Sequence, residues 1–115
     1  MLSPEDEIRL RHMLDHSREA LALVEGKARR DLYSARVLSL ALVRLLEVVG
    51  EAAARLSQKT TSQHPTVPWS QIVSLRNRLI HGYDSVDLDI LWEILAGDLP
   101  SLVRELERIL ADATD

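Results

Sequence analysis

Five side chains that can handle protons and phosphates lie close together in the second half of the chain. They are Arg76, Asn77, Arg78, His81 and Tyr83. An imidazole exchanges protons near neutral pH, and a guanidinium binds phosphate through a rigid fork of N–H donors. These two groups are the tools needed to cleave RNA without a metal ion. We therefore predict that Arg76 and His81 form a reactive pair, with Asn77 and Arg78 in support.

The relative direction of Arg76 and His81 depends on where their helix ends. Five residues correspond to about 140° of helical rotation, so the two side chains would diverge on an unbroken helix. Gly82 is typical of the residue that follows a helix end, which places His81 in the last turn, where its direction is freer. Asn77 would share a face with His81 and could orient its ring. The alternative is that these cationic side chains only stabilise the helix C-terminus.

The sequence around this cluster resembles the HepT family of HEPN-domain toxins. The cluster and two flanking segments, residues 46–53 and 86–94, carry the resemblance, which extends from about residue 8 to residue 110. It implies an all-α HEPN-like fold and a dimer in which paired Arg-x-x-x-x-His motifs line a cleft. It also implies metal-independent cleavage of RNA by Arg76 and His81.

The resemblance further implies a partner that controls the activity. In this family, a nucleotidyltransferase of the MNT type adds AMP to the tyrosine that corresponds to Tyr83 and so silences the toxin. The added AMP would bring negative charge and bulk to a position two residues from His81, where substrate phosphate should lie. Without the resemblance, Tyr83 could equally be a half-buried packing residue.

Composition indicates one helical domain, over residues 1–115. Apolar residues make up 46% of the chain but aromatic residues only 3%, which suits packed helices better than a sheet. The absence of Cys fits a reducing cytosol. The acidic N-terminal segment is unlike a signal peptide, and charged residues interrupt the longest apolar run. We therefore expect a soluble, cytoplasmic protein that does not span a membrane.

The net charge of −4 argues against strong, sequence-blind binding of nucleic acid, which usually needs a basic surface. It leaves room for a small basic pocket around Arg76 and Arg78. A second basic segment, residues 27–30, could contact RNA phosphate or an acidic partner, or could form the solvated start of a helix.

Hydrophobic periodicity predicts an up-and-down bundle of four to five helices. We expect them at about residues 4–24, 31–57, 68–81, 87–96 and 99–110, with an apolar stripe on the first and on the last. Ser3 is a candidate cap of the first helix, and Asp31 can cap or charge the start of the second. Gly97 should end the fourth helix, and Asp98 can cap the fifth. Residues 58–67 are expected to be a polar connection that either contacts substrate or is a plain linker. The third helix should bury either Leu75 or Val73.

The long second helix predicts a second subunit. Its long polar side chains between residues 38 and 56 fall on one narrow stripe of Arg44, Glu47, Glu51 and Arg55. A helix that is apolar over most of its girth must be covered on several sides, and a small bundle has few helices to do so. Gly50 would let another helix approach closely. A homodimer would also supply two imidazoles, one as acid and one as base.

A histidine pair is the one pattern in the chain that suggests a metal. His12 and His16 are spaced as in helical zinc sites, but only Glu19 could add a ligand at a periodic position. We interpret the pair as solvated or interface histidines, and we predict neither a metal nor another cofactor.

Two functions remain open. The chain is either an endoribonuclease toxin that leaves 2′,3′-cyclic phosphate ends, or a non-catalytic helical partner that presents Tyr83 to the nucleotidyltransferase. The presence of both Arg76 and His81 favours the first function.

Overall fold

The computed structural model describes residues 1–83 and 85–113. Within these ranges the secondary structure is helical, apart from one isolated antiparallel bridge between Ile80 and Val86. The prediction of an all-α bundle is therefore confirmed. The helices are α1 (Pro4–Val24), α2 (Arg29–Ser34), α3 (Arg36–Ala54), α4 (Gln58–Gln63), α5 (Trp69–Val73), α6 (Leu75–Leu79) and α7 (Leu88–Glu93), followed by a π-helical turn (Ile94–Asp98) and α8 (Leu99–Ala113).

The three long helices form the centre of the bundle, with α1 lying along both α3 and α8. Their facing sides are aliphatic, and most of these side chains are completely removed from solvent, which is the main source of stability for a helical bundle. The core residues of these three helices include Leu10, Met13, Leu14, Leu42, Leu46, Val49, Leu102, Leu106 and Ile109. The apolar stripes predicted for the first and last helices are confirmed.

The beginning of α1 is tied to α4 by a buried carboxylate. Ser3 caps α1 as the sequence predicts, accepting a hydrogen bond from the Asp6 backbone at 3.1 Å. The Asp6 side chain accepts hydrogen bonds from the Ser57 backbone and from the hydroxyls of Ser57 and Thr60. Burial alone would raise the pKa of Asp6, but these hydrogen bonds outweigh it and hold the pKa below its ordinary value.

The predicted polar connection at residues 58–67 is therefore partly wrong. Its first half is the helix α4, which begins where the Ser57 hydroxyl accepts a hydrogen bond from the Thr60 backbone at 3.3 Å. The buried Asp6 carboxylate organises this helix start. A short helix held by a side chain 51 residues away is not visible in local composition.

The predicted second helix is also divided, at Ala35, whose backbone is extended (φ −120°, ψ 84°). The start of this region lies at Arg29, two residues before the predicted one, and Asp31 stabilises it from the first turn, where its carboxylate accepts a hydrogen bond from the Ala28 backbone at 2.7 Å. Ser39 donates to the Leu32 carbonyl at 2.6 Å from a buried position. In a continuous helix, the Leu32 carbonyl oxygen would accept a hydrogen bond from a backbone N–H. Here the Ser39 hydroxyl donates to it instead.

The predicted third helix is split into α5 and α6 at Ser74, and it ends at Leu79 instead of His81. Gly50 of α3 faces this junction. A Cβ atom placed on Gly50 would lie 3.0 Å from the Ile72 carbonyl oxygen. The close helix approach predicted at Gly50 is confirmed, and the helix that approaches belongs to the same chain.

The boundary predicted at Gly97 is wrong, because α7 continues through the π-helical turn into α8. The Leu99 backbone N–H bonds to the Ile94 carbonyl, five residues back. The wider turn lies directly before Pro100, whose ring would clash with a carbonyl of a regular helix. Asp98 consequently caps nothing, and its carboxylate forms an ion pair with Arg78 instead.

Candidate functional site

The loop between α6 and α7 carries His81 and is closed at its base by backbone hydrogen bonds. Ile80 and Val86 form the antiparallel bridge, and the Asp87 N–H donates to the Leu79 carbonyl at 2.8 Å. The His81 N–H donates to the Ser85 carbonyl at 2.7 Å. His81 therefore lies in a closed loop beyond the helix, which corrects the prediction that it occupies the last helical turn.

Gly82 shapes this loop. Its φ of +75° is the left-handed conformation that glycine adopts without a steric penalty. The sequence correctly indicates this conformation, but the glycine turns the loop after His81 and does not terminate α6, which ends at Leu79.

The His81 ring is 59% exposed, and its Nε2 lies 3.7 Å from Oδ2 of Asp87. The other oxygen of Asp87 caps α7, accepting a hydrogen bond from the Ile90 backbone at 3.0 Å. One carboxylate thus serves a helix and an imidazole at the same time. The sequence indicates Asp87 only as a favourable acid at a helix start, because its contact with His81 depends on how the loop closes.

Asn77 does not orient His81 in this arrangement. Its side chain is exposed, and within the described residues no hydrogen bond joins it to the imidazole. The prediction assumed that the two residues share a helix face, and this relation is lost because the helix ends at Leu79.

Arg76 is 63% exposed, and its Nε lies 3.3 Å from Oε2 of Glu47 in α3. A pair of this exposure contributes at most about 1 kcal/mol to stability, so an incoming phosphate can displace the carboxylate. Glu47 belongs to the polar stripe predicted on the second helix, but its link to Arg76 depends on the packing of α3 against α6.

Arg78 is held by a different part of the molecule. Its Nη1 lies 3.1 Å from Oδ2 of Asp98 in the π-helical turn. Two residues correspond to about 200° of helical rotation, so Arg76 and Arg78 leave α6 on nearly opposite sides. Arg78 instead lines a cavity of about 370 Å³ between α5 and the start of α8. This separation corrects the expectation of one basic pocket around both arginines.

The Tyr83 side chain is fully exposed on the loop. The interpretation of Tyr83 as a half-buried packing residue is therefore wrong. The phenol borders a groove of about 560 Å³ that also contacts Tyr33, Arg36 and Leu40. Tyr33 donates a hydrogen bond to Asp89 at 2.6 Å, and this bond raises the pKa of Tyr33.

Arg76 and His81 are presented separately. Within the described ranges, no hydrogen bond or ion pair joins them, and each is held by its own carboxylate, Glu47 or Asp87. The chain therefore offers one exposed guanidinium and one exposed imidazole on consecutive segments.

The histidine pair on α1 is arranged by local contacts. Nδ1 of His16 lies 2.8 Å from the His12 carbonyl oxygen, and the two ring centroids are 6.3 Å apart. The described part of the chain contains no group of three or more His, Cys, Asp or Glu side chains that could hold a metal ion.

Among the residues that the structure describes, no helix is long and apolar enough to cross a membrane.

Residues 13–109 match the sequence profile of the family described as "Ribonuclease HepT-like". The match extends over most of the chain and includes α6, the loop that carries His81, and the greater part of α1 and α8. The chain therefore belongs to the HepT-like ribonuclease family.

Individual relatives agree with this assignment. A protein of Caldanaerobacter subterraneus subsp. tengcongensis, provisionally named an RNase, is 35% identical over 88% of this chain and 90% of its own length. A protein of Thermococcus cleftensis named "Probable ribonuclease HepT" is 32% identical over 84% of this chain and 91% of its own length. No solved structure matches the chain at a significant level.

Proposed function

We propose that the chain is a metal-independent endoribonuclease, the toxin of a toxin–antitoxin pair whose antitoxin is a nucleotidyltransferase of the MNT type. The observation that carries this proposal is the exposure of Arg76 and His81 on consecutive segments of a HepT-like chain. The ribonuclease names of its relatives support the same reaction class. Its place of action would be the cytoplasm.

In the proposed reaction, the 2′-hydroxyl of RNA attacks the adjacent phosphorus. His81 accepts the hydroxyl proton, the bond from O2′ to phosphorus forms, and the bond from phosphorus to O5′ breaks. Arg76 leaves Glu47 and neutralises the charge that builds on the phosphoryl oxygens. A second imidazole protonates O5′, and the products are a 2′,3′-cyclic phosphate and a 5′-hydroxyl.

The second imidazole would be the partner subunit's His81 in a homodimer. The outward side of α3 supports this assembly, since Val37 is 82% exposed and Leu40 is 51% exposed in the single chain. Large apolar side chains of this exposure are the ones that a second subunit would cover.

Control of the activity would act on Tyr83. Its phenol is fully exposed, so another enzyme can reach it, and it belongs to the same closed loop as His81. AMP joined to this oxygen would place a negatively charged phosphodiester beside the imidazole and would exclude substrate phosphate by charge and volume.

The test is an RNA cleavage assay in EDTA on full-length protein made without its nucleotidyltransferase. Arg76→Ala and His81→Ala should each lower the rate by at least about 10²-fold, in the range measured for lost acid–base or charge-stabilising groups. The matched controls are Arg104→Ala and His12→Ala, which remove the same chemical groups from α8 and α1. These controls should cleave RNA at the wild-type rate.

The product ends are a second readout of the same assay. A 2′,3′-cyclic phosphate is expected, because the nucleophile belongs to the RNA itself. Loss of cleavage in EDTA would instead favour a metal site. An unmodified protein that cleaves no RNA would leave the chain as a helical partner and modification substrate of the nucleotidyltransferase.

A further inference from the structure

Asp87 faces the imidazole of His81 with one oxygen while its other oxygen is committed to the backbone of α7. We propose that Asp87 is a positioning residue that retains the proton on Nε2 of His81, so that Nδ1 is the nitrogen that accepts the proton from the 2′-hydroxyl. This inference rests on the proposed function for its consequence in cleavage.

Both residues are held by backbone contacts, which makes their juxtaposition a property of the loop. The N–H groups of His81 and Asp87 donate to the carbonyls of Ser85 and Leu79, at 2.7 Å and 2.8 Å. Oδ1 of Asp87 accepts from the Ile90 backbone at 3.0 Å, which directs Oδ2 towards the ring. The 3.7 Å between Oδ2 and Nε2 is an ion-pair distance, and the proposed hydrogen bond requires the ring to come closer to the carboxylate.

The tautomer follows from the chemistry of the two groups. A neutral imidazole carries one proton, and a carboxylate can only accept hydrogen bonds. Nε2 therefore retains its proton where it faces Asp87, and the lone pair of Nδ1 remains available on the other side of the ring.

Two other acids near the site, among the residues that the structure describes, are engaged elsewhere. Asp89, in the first turn of the same helix, accepts a hydrogen bond from Tyr33 and pairs with Arg29 at 3.4 Å. Glu47 pairs with Arg76. Among the residues that the structure describes, Asp87 is the acid within ion-pair distance of His81.

The variant Asp87→Asn separates positioning from helix capping. Asn caps a helix about as well as Asp, so the amide oxygen should keep the hydrogen bond from Ile90. The NH₂ group then faces Nε2 and can only donate a hydrogen bond. Nε2 must therefore be unprotonated to accept it, and the proton of the neutral ring moves to Nδ1. Asp89→Asn is the matched control, because it makes the same chemical change two residues away in the same helix.

The experiment has two readouts. The first is the ¹⁵N chemical shifts of the His81 ring in labelled full-length protein, at a pH where the ring is neutral. The second is kcat and KM for RNA cleavage. Wild type and Asp89→Asn should show the proton on Nε2, and Asp87→Asn should show it on Nδ1. Cleavage by Asp87→Asn should fall in kcat by about 10²-fold or more, with KM within about twofold of wild type because no phosphate contact is removed.

The outcomes distinguish this inference from the proposed function. A proton that remains on Nε2 in Asp87→Asn, or an unchanged kcat, overturns the role of Asp87. A fall in kcat equal to that of Asp89→Asn also overturns it, because the loss would then reflect general charge. If the wild-type protein has the proton on Nε2 but does not cleave RNA, the proposed function is wrong. The effect of Asp87 on the His81 tautomer would still stand in that case.

Discussion

Each of the two proposed catalytic side chains lies beside a carboxylate. Glu47 pairs with Arg76, and Asp87 lies 3.7 Å from His81, but the two contacts have different consequences for an RNA phosphate. The Asp87 carboxylate faces one edge of the imidazole and, in the inference above, fixes which ring nitrogen carries the proton. The carboxylate beside the guanidinium occupies the donors that phosphate would use, and it adds a repulsive charge.

Removal of the charge on Glu47 should strengthen RNA binding. Glu47→Gln is expected to lower the dissociation constant by about two- to fivefold, since an exposed ion pair contributes up to about 1 kcal/mol. Fluorescence anisotropy with labelled RNA on a His81→Ala background measures binding without cleavage. Glu51→Gln, whose acid pairs with Arg44, is the control from the same helix. Weaker binding by Glu47→Gln would show that Glu47 orients Arg76 instead of competing for it.

Tyr83 should control the protein without taking part in cleavage. Tyr83→Phe is expected to cleave RNA at the wild-type rate, because the phenol has no place in the proposed reaction, but it should resist silencing by the nucleotidyltransferase with ATP. Colony survival with the partner co-expressed, together with intact mass for added AMP, measures both properties. Tyr33→Phe, the other tyrosine of the chain, should be silenced like wild type. Full silencing of Tyr83→Phe would contradict the role of this residue.

At the scale of the elements, the position of α6 depends on the contact between α3 and the junction of α5 and α6. The chain passes so close to Gly50 that a Cβ atom there would lie within 3.0 Å of a backbone carbonyl oxygen. A carbonyl in a helix cannot rotate away as a flexible side chain can. This contact therefore limits how closely α5 can approach α3.

Gly50→Leu should destabilise the protein by about 1–3 kcal/mol, the range for overpacking. Gly97→Ala is the matched control, because nothing lies within 4 Å of a Cβ at that position. Alanine there should leave stability unchanged or raise it by up to about 1 kcal/mol through its higher helix propensity. Urea unfolding followed by circular dichroism measures both variants. Equal stability of Gly50→Leu and wild type would contradict the packing described for this contact.

At the scale of the whole molecule, the proposed chemistry needs an assembly. One chain presents one imidazole at the loop, and in the described residues the outward side of α3 carries apolar side chains with large exposed areas. The approach at Gly50 does not bear on this question, since α5 of the same chain fills it. The expectation of a homodimer therefore depends on Val37 and Leu40.

Val37→Asp should dissociate the dimer and abolish cleavage, because an unpaired carboxylate in an apolar interface is strongly unfavourable. The variant should remain folded, since Val37 is 82% exposed in the single chain. Ile8→Asp, an exposed apolar position on α1, is the control and should remain dimeric and active. Light scattering at micromolar concentration and the RNA assay measure the two effects. A wild-type monomer that cleaves RNA would contradict the need for an assembly.

Features that depend on local chemistry and periodicity can be predicted from the amino-acid sequence. The Ser3 cap, the apolar stripes of α1 and α8, the left-handed Gly82 and the close approach at Gly50 are all legible from residue type and spacing. The resemblance to the HepT family was also legible, and the family assignment confirmed it. The catalytic roles of Arg76 and His81 remain predictions.

The positions of several helix breaks and the pairing of distant side chains follow from the packing of the folded chain. The helix α4 depends on a buried carboxylate 51 residues away, and the π-helical turn joins α7 to α8 where the sequence predicted a boundary. The carboxylates that lie beside Arg76, Arg78 and His81 are 6 to 29 residues away in the sequence. Hydrophobic periodicity does not predict how the intervening loops fold. Hydrophobic periodicity predicts which face of a helix is buried. It does not predict which carboxylate will pair with a cationic side chain on the exposed face.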